Sequence, residues 1–299
     1  MKNKNKKTYE YGLHTPVLAS EVLDSLAPKK GERYLDLTAG YGGHAQLVLD
    51  ETGNFDGAVL CDRDKEAIDH LKALFELRKI RLLQKTFSEA CEILLAKNEK
   101  FDLILADLGV SSPHLDKAER GFSVLRNGPL DMRMDQSTGK SAFDIVNSAS
   151  EKEIETILRT YGEEPKAKKI AHAIVLSRPL YTTGELAECI KGVYGGYTKH
   201  HPAIKSFQAL RIAVNDELGL LMEMLPKAVS LLAPGGRLGI ITFHSLEDRV
   251  VKQFIADHVE MGYEAVLKNM TKKPIAPSPF EIRINPRSRS AKLRVACKN

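Results

Sequence analysis

Residues 34–49 read YLDLTAGYGGHAQLVL, an apolar run that stops at a glycine-rich turn and resumes with helical spacing. Gly40, Gly42 and Gly43 stand after a strand and ahead of a helix, where a nucleotide-like ligand can approach bare backbone. The turn reads Gly40-x-Gly42-x-x-Ala45, a loose form of the dinucleotide fingerprint. It points to an adenosine cofactor without separating a dinucleotide from other adenosine ligands. Outward from it, residues 33–108 alternate RYLDL, GAVLCD, RLLQK and FDLILADL with helical stretches from Asp64 and Ser88. That alternation predicts an α/β fold built on a parallel sheet.

On the N-terminal side, Thr15 and Pro16 predict a helix start, with Leu18, Val22, Leu23 and Leu26 on one apolar face. After Pro113 no β-branched strand run occurs for roughly a hundred residues, and Ser150-x-x-Glu153 and Thr182-x-x-Glu185 mark helix starts. An inserted helical domain is expected, with helices near 150–160, 165–177 and 183–192. The irregular segment ERGFSVLRNGPLDMRMD leads into it. The α/β pattern resumes with one long helix over 203–225 running up to Pro226, a second helical stretch leading to APGG, the strand GRLGIITF, a helix from Ser245, and strands in YEAVLKN and KLRVAC. The Pro-rich stretch 274–290 reads as a loop. The expected division is 1–112 and 203–299 for the two parts of the sheet domain, and 113–202 for the insertion.

Composition bounds the function class. The 299 residues are 43% hydrophobic and 28% charged, near the averages of soluble proteins. No apolar stretch reaches the ~20 residues of a membrane helix. MKNKNKK is followed by no apolar signal core, so a cytoplasmic protein without a membrane is expected. Cys61, Cys91, Cys189 and Cys297 form no C-x-x-C pair, and the adjacent His200 and His201 have no carboxylate placed with them. Neither disulfides nor a metal are expected. Net charge is +5, but residues 283–299 hold Arg283, Arg287, Arg289, Lys292, Arg294 and Lys298 without an acid, as a phosphate-rich partner or a solvated tail would both have it.

Three acids stand near strand ends. Asp62, twenty residues after Gly42, is placed to accept ribose hydroxyls. Asp36 can orient the glycine turn or a cofactor amine, and Asp107 ends the apolar run LILAD just before a glycine and two serines. Phe87, after the third strand, could cover an adenine or belong to the core.

The motifs HTPVLASEVLD, DLTAGYGGHA, CDRDKEAI, DLGVSSPHLDKAERGFSVLRNGPLDMRMD, YGEEPKAKKIAHAIV, SFQALRIAVNDEL, LAPGGRLGIITFHSLEDRVVK and NPRSRSAKLRVA closely resemble the ribosomal RNA small-subunit methyltransferase H family. The resemblance spans nearly the whole chain. It implies a Rossmann-like, S-adenosylmethionine-dependent methyltransferase sheet with a helical insertion. It also implies methylation of the exocyclic N4 of one cytidine in the decoding region of 16S rRNA, within the small ribosomal subunit. Carried over motif by motif, the cofactor contacts fall on Gly42, Gly43, His44, Asp62, Phe87, Asp107 and His114. Relatives more usually carry glutamine where His114 stands, and an imidazole cannot offer the amide's paired donor and acceptor. The sequence leaves the oligomeric state open, and a homodimer is compatible with it.

The amine of cytosine is a poor nucleophile because its lone pair is delocalised, so an acceptor beside it should help the nitrogen pyramidalise and lose a proton. Asp107 is the catalytic candidate. Other amino-methylating enzymes carry Asn/Asp-Pro-Pro-aromatic after the fourth strand; here the aligned segment is Asp107-Leu108-Gly109-Val110. Substrate candidates are Ser111, Ser112, Asp131 and Arg133, with Arg287 and Arg289 among the phosphate contacts. A binding or assembly factor that keeps the cofactor fold without turnover is the competing reading.

Overall fold

A computed structural model describes residues 16–110, 115–196, 198–259 and 265–299. Thr15, Ser111, Ser112 and His114 lie outside the described residues. The chain divides into two units, one running up to Gly109 and resuming over Leu218–Asn299, the other Val110–Glu217.

The first unit is built on a seven-stranded sheet. Its strands are β1 Tyr34–Asp36, β2 Val59–Asp62, β3 Arg81–Gln84, β4 Phe101–Asp107, β5 Leu232–Thr242, β6 Leu267–Asn269 and β7 Lys292–Lys298. They lie in the order β3-β2-β1-β4-β5-β7-β6, parallel except where β7 runs antiparallel to β5 and β6. Helix α1 Ala19–Leu26 precedes β1, and α2 Gly43–Thr52, α3 Lys65–Leu74 and α4 Phe87–Ala96 connect the first four strands. Two apolar clusters fill this unit. One gathers Leu35, Cys91, Leu94, Ile104 and Leu225; the other gathers Leu26, Val48, Leu60, Leu71 and Leu293.

Helix α1 starts later than the sequence suggests, because Leu18 takes a left-handed φ of 55° and its amide donates to the Glu281 carboxylate at 2.7 Å. Helix α4 begins with a capping box, in which the Thr86 hydroxyl and the Glu89 carboxylate each accept from the other's backbone.

The second unit packs α5 Ala142–Ser148, α6 Glu151–Gly162, α7 Ala167–Leu176, α8 Thr183–Tyr194 and α9 Ile204–Asn215 around a core that includes Ile154, Leu158, Ile170, Leu186 and Leu210. Capping boxes at Ser150/Glu153 and Thr182/Glu185 start α6 and α8 where the sequence places them. The single helix expected over 203–225 is two helices. Asp216 takes a left-handed φ of 47° and its amide closes α9 on the Ile212 carbonyl. Helix α10, Glu217–Leu231, then carries Pro226 in its interior. Helix α9 packs into the helical unit through Phe207 and Leu210, so that unit extends to Glu217 and not to residue 202. Past β5, α11 Ser245–Val259 follows as expected, whereas the expected loop 274–290 holds α12 Pro279–Ile284 and a 3₁₀ turn over Pro286–Ser290.

The segment around Asp131 is tightly built. The buried Asn215 amide accepts from the Met134 amide at 2.9 Å and donates to the Met132 carbonyl at 2.8 Å. Gly121, at φ +72°, lies against the strand-like stretch Pro129–Asp131; a Cβ there would sit 2.1 Å from the Pro129 carbonyl oxygen. Gly121→Ala is therefore expected to destabilise the helical unit by about 3 kcal/mol or more. Urea unfolding followed by tryptic cleavage within Val110–Glu217 checks this, and wild-type resistance would contradict the packing.

Candidate active site

Strand order reverses between β1 and β4, the point where parallel sheets of this kind open a crevice beyond their strand ends. Asp36 ends β1 and Asp107 ends β4, so the two carboxylates flank that point. The glycine turn crosses above it. Gly40 and Gly42 take φ of 50° and 84°, and the Gly42 amide donates to the Ala39 carbonyl at 2.8 Å. Helix α2 then starts at Gly43 with no side-chain cap and no acid in its first turn, leaving a positively polarised end. A Cβ on Gly42 would approach the tip of the exposed Leu74 side chain to 2.6 Å, a contact that side chain can relieve, so the requirement for glycine here is its φ.

Asp62 braces this turn from the end of β2. Its carboxylate accepts the Gly40 amide and the Asp64 amide, each at 2.8 Å. A carboxylate oxygen can accept more than one hydrogen bond, so the bracing does not by itself exclude a ribose hydroxyl.

Asp36 is buried, receives the Tyr34 hydroxyl at 2.7 Å, and accepts the Thr38 amide at 3.1 Å. Burial pushes its carboxyl up to about 6; the Tyr34 hydroxyl, His44 and the Thr38 amide oppose the rise, and the Asp107 charge adds to it. The same burial raises the Tyr34 hydroxyl well above its ordinary value.

Asp107 is held by its backbone, whose amide donates to the Thr38 hydroxyl at 2.6 Å. His44 Nε2 lies 3.5 Å from Asp107 Oδ2, beyond good hydrogen-bond geometry. Among the described residues, neither nitrogen of the buried His44 nor Asp107 Oδ1 has a hydrogen-bond partner. Buried polar atoms left in this way point to a ligand that supplies the partners.

The other candidates are dispersed. Phe87 is the first residue of α4, at the end of β3, packed half-buried on the core. In the helical unit Arg133 grips Asp131 through two bonds of 2.8 and 3.0 Å. Partial burial works against the Asp131 charge, yet Arg133 and Gln136 hold its carboxyl below the ordinary range. Arg133 is thus already paired. Arg287 and Arg289 are exposed in the turn before β7.

The rest of the basic C-terminal stretch is mostly structural. Lys292 and Arg294 bind Asp248 at 3.1 and 2.7 Å, and Lys298 donates to the carbonyls of Val229 and Leu232. Sequence reasoning missed Tyr34 and Thr38, which fix the two carboxylates. A tyrosine inside a buried three-residue strand, two positions from an acid, was the available signal.

With this geometry in place, residues 12–299 match the model of the MraW methylase family. The chain belongs to that family. A protein of Paenibacillus sp. (strain JDR-2), named ribosomal RNA small subunit methyltransferase H, is 45% identical, with 95% of this chain and 98% of that one covered. A protein of the same name from Deinococcus deserti is 46% identical, over 97% of this chain and 94% of the other. Among solved structures, a putative methyltransferase from Streptococcus mutans in complex with SAH is 12% identical, with a TM-score of 0.44 over 96% of this chain and 100% of that one. As an MraW methylase the chain is a methyltransferase, and its cofactor is S-adenosylmethionine. The unpartnered His44 and Asp107 atoms beside the uncapped start of α2 fit a polar ligand of that kind.

Two outcomes follow from the site. Asp62→Ala removes the brace on Gly40 and is expected to weaken S-adenosylmethionine binding tenfold or more, about 1.4 kcal/mol by calorimetry; unchanged affinity would take Asp62 out of the site. For Asp36, the folded value near 6 exceeds the unfolded value near 4. The stability that its neutral form contributes is complete below about pH 4 and is lost as pH rises through about 6. Relative to Asp36→Asn, the wild type should therefore lose stability across that window. A constant difference in urea midpoints between pH 4 and 7 would contradict a raised Asp36.

Proposed function

We propose that this MraW methylase transfers a methyl group to the exocyclic N4 of a cytidine in the decoding region of small-subunit (16S) rRNA, in the cytoplasm. The observation that carries the chemistry is the buried, unpartnered Asp107 Oδ1 at the tip of β4, beside His44 and the glycine turn. The choice of rRNA is supported by likeness over nearly the full length to relatives named as small-subunit rRNA methyltransferases. Among the described residues no helix is long and apolar enough to cross a membrane.

When bound, S-adenosylmethionine supplies an electrophilic methyl group on a cationic sulfur. Gly42, Gly43, His44, Asp62, Phe87 and Asp107 are the residues that would hold it, with His114 beyond β4. Asp62 is placed for the ribose, and Phe87 for the adenine. In-line transfer asks mainly for positioning of donor and acceptor. Asp107 contributes the acceptor atom: a carboxylate near the cytosine amine draws on its N–H, makes the lone pair available and takes the proton released as the new N–C bond forms. Thr38 keeps Asp107 in place through its main-chain amide, so the side chain stays free for this role. Asp131, Arg133, Ser111 and Ser112 are proposed on the RNA side. Arg133 reaches RNA only as part of its pair with Asp131.

Methyl-labelled S-adenosylmethionine, offered with small subunits, free rRNA and DNA, tests the reading. Label in N4-methylcytidine after digestion of the small-subunit rRNA is expected. Label only in DNA, or at another atom of the rRNA, would overturn it. Cofactor binding without any transfer would favour a binding or assembly factor. Asp107→Ala is expected to lower turnover by about a hundredfold or more; near-normal turnover would remove Asp107 from the mechanism.

A further inference from the structure

The segment before β7 carries an unbalanced surface. From Ala265 to Asn299 the sequence has one acid, Glu281, against nine lysines and arginines. Glu281 is turned inward, its carboxylate accepting the Leu18 amide at 2.7 Å. Lys292, Arg294 and Lys298 are engaged in structural bonds, as described above. Lys268, Lys272, Lys273, Arg283 and Arg289 are exposed.

Two large apolar side chains share that surface. Phe280 and Ile284 are 49% and 51% exposed, four residues apart on α12 and hence on one face of it. Arg283 lies with them, its guanidinium 5.5 Å from the Phe280 ring centre. The backbone beneath is firm. Ser278 caps α12, and the fully buried Ser288 ties the next turn through its hydroxyl to the Asn285 carbonyl at 2.8 Å.

The chain from α12 leads into β7, which lies in the same sheet as β4. Asp107 pairs in register with Ile241 and Ile241 with Leu293, so β7 begins level with the tip of β4. The Glu281 bond holds Leu18, and Pro16, two residues earlier, packs 3.1 Å from where a Cβ of Gly43 would be.

An exposed ring next to a guanidinium, on a cationic surface, is the composition that stacks an unpaired base and tracks its phosphates. We propose that Phe280, Arg283 and Ile284 of α12, with Arg289 in the following turn, form a docking surface for single-stranded RNA flanking the nucleotide to be modified. The inference rests on the reading that the acceptor is RNA.

The test uses the full chain, a short fluorescein-labelled single-stranded RNA and fluorescence anisotropy. Phe280→Ala should weaken binding about fivefold or more, and Phe280→Tyr, which keeps a ring, should restore it. Arg283→Gln with Arg289→Gln should lower the slope of log affinity against log salt by about one. Calorimetry with S-adenosylmethionine should be unchanged in each variant. Unchanged RNA affinity in Phe280→Ala would overturn the proposal, as would a preference of the wild type for phosphatidylserine vesicles over RNA. If Phe280→Ala loses cofactor binding, photo-crosslinking of the wild type to 4-thiouridine RNA decides: adducts within Pro279–Arg289 support the surface, and their absence overturns it. RNA binding through Phe280 without methyl transfer to rRNA would keep the surface and defeat the proposed activity. Normal transfer with an indifferent Phe280→Ala would do the reverse.

Discussion

The Thr38 hydroxyl that receives the Asp107 amide joins the ends of β1 and β4 where strand order reverses. Neighbouring parallel strands at such a point send their connections to opposite faces, and the gap left beyond their ends has to be closed by loops or by ligand. Here the gap is lined by Asp36, Thr38, His44 and Asp107. The register Tyr34↔Leu103 to Asp36↔Leu105 sets their heights, because a slip of one residue would turn Asp36 and Asp107 to the opposite faces. Thr38 thereby ties the main chain of one strand end to a side chain of the other. The Asp107 carboxylate is left out of that bond and open to chemistry.

Much of this was legible in sequence. Short β-rich runs ended by glycine or acid gave the strands their places, and Ser/Thr-x-x-Glu spacing located α6 and α8, since each box satisfies backbone donors at a helix start. The glycine turn and Asp62 were readable because their chemistry is local: φ above zero at Gly40 and Gly42, and a carboxylate within reach of a backbone amide. The His44 approach to Asp107 was not readable from spacing. It joins residues far apart in the chain, and only the pairing of β1 with β4 brings them together.

The misreadings share a cause. Proline was taken as the end of a helix, yet Pro226 sits inside α10, and four residues before it Met222 is 56% exposed, so the carbonyl freed by the missing donor lies on the solvent side. The actual break is Asp216, an ordinary residue by composition, held in the left-handed region where aspartate is tolerated better than most. Moving that break returns α9 to the helical unit. Likewise the prolines of 274–290 suggested a loop, but Pro279 follows the capping Ser278 and so occupies a first helical position, where a missing N–H costs nothing. Local propensity marks where a helix can stop; tertiary bonds such as Glu281 to Leu18 decide where it does.

Charge adds a last constraint on the site. Asp36, Asp62 and Asp107 gather at neighbouring strand ends; Asp62 accepts the amides of Gly40 and Asp64, and Asp107 is placed by its own amide on the Thr38 hydroxyl. Burial raises the Asp36 carboxyl to about 6, so its charge is the costliest of the three to keep. A crevice of this sign favours a ligand with net positive charge over a neutral one of the same shape. S-adenosylmethionine carries such a charge on its sulfur, and the product left after methyl transfer does not. On the proposed reading, carboxylates that draw the cofactor in would lose that attraction once the methyl group has gone, so one arrangement of acids would favour both binding and release.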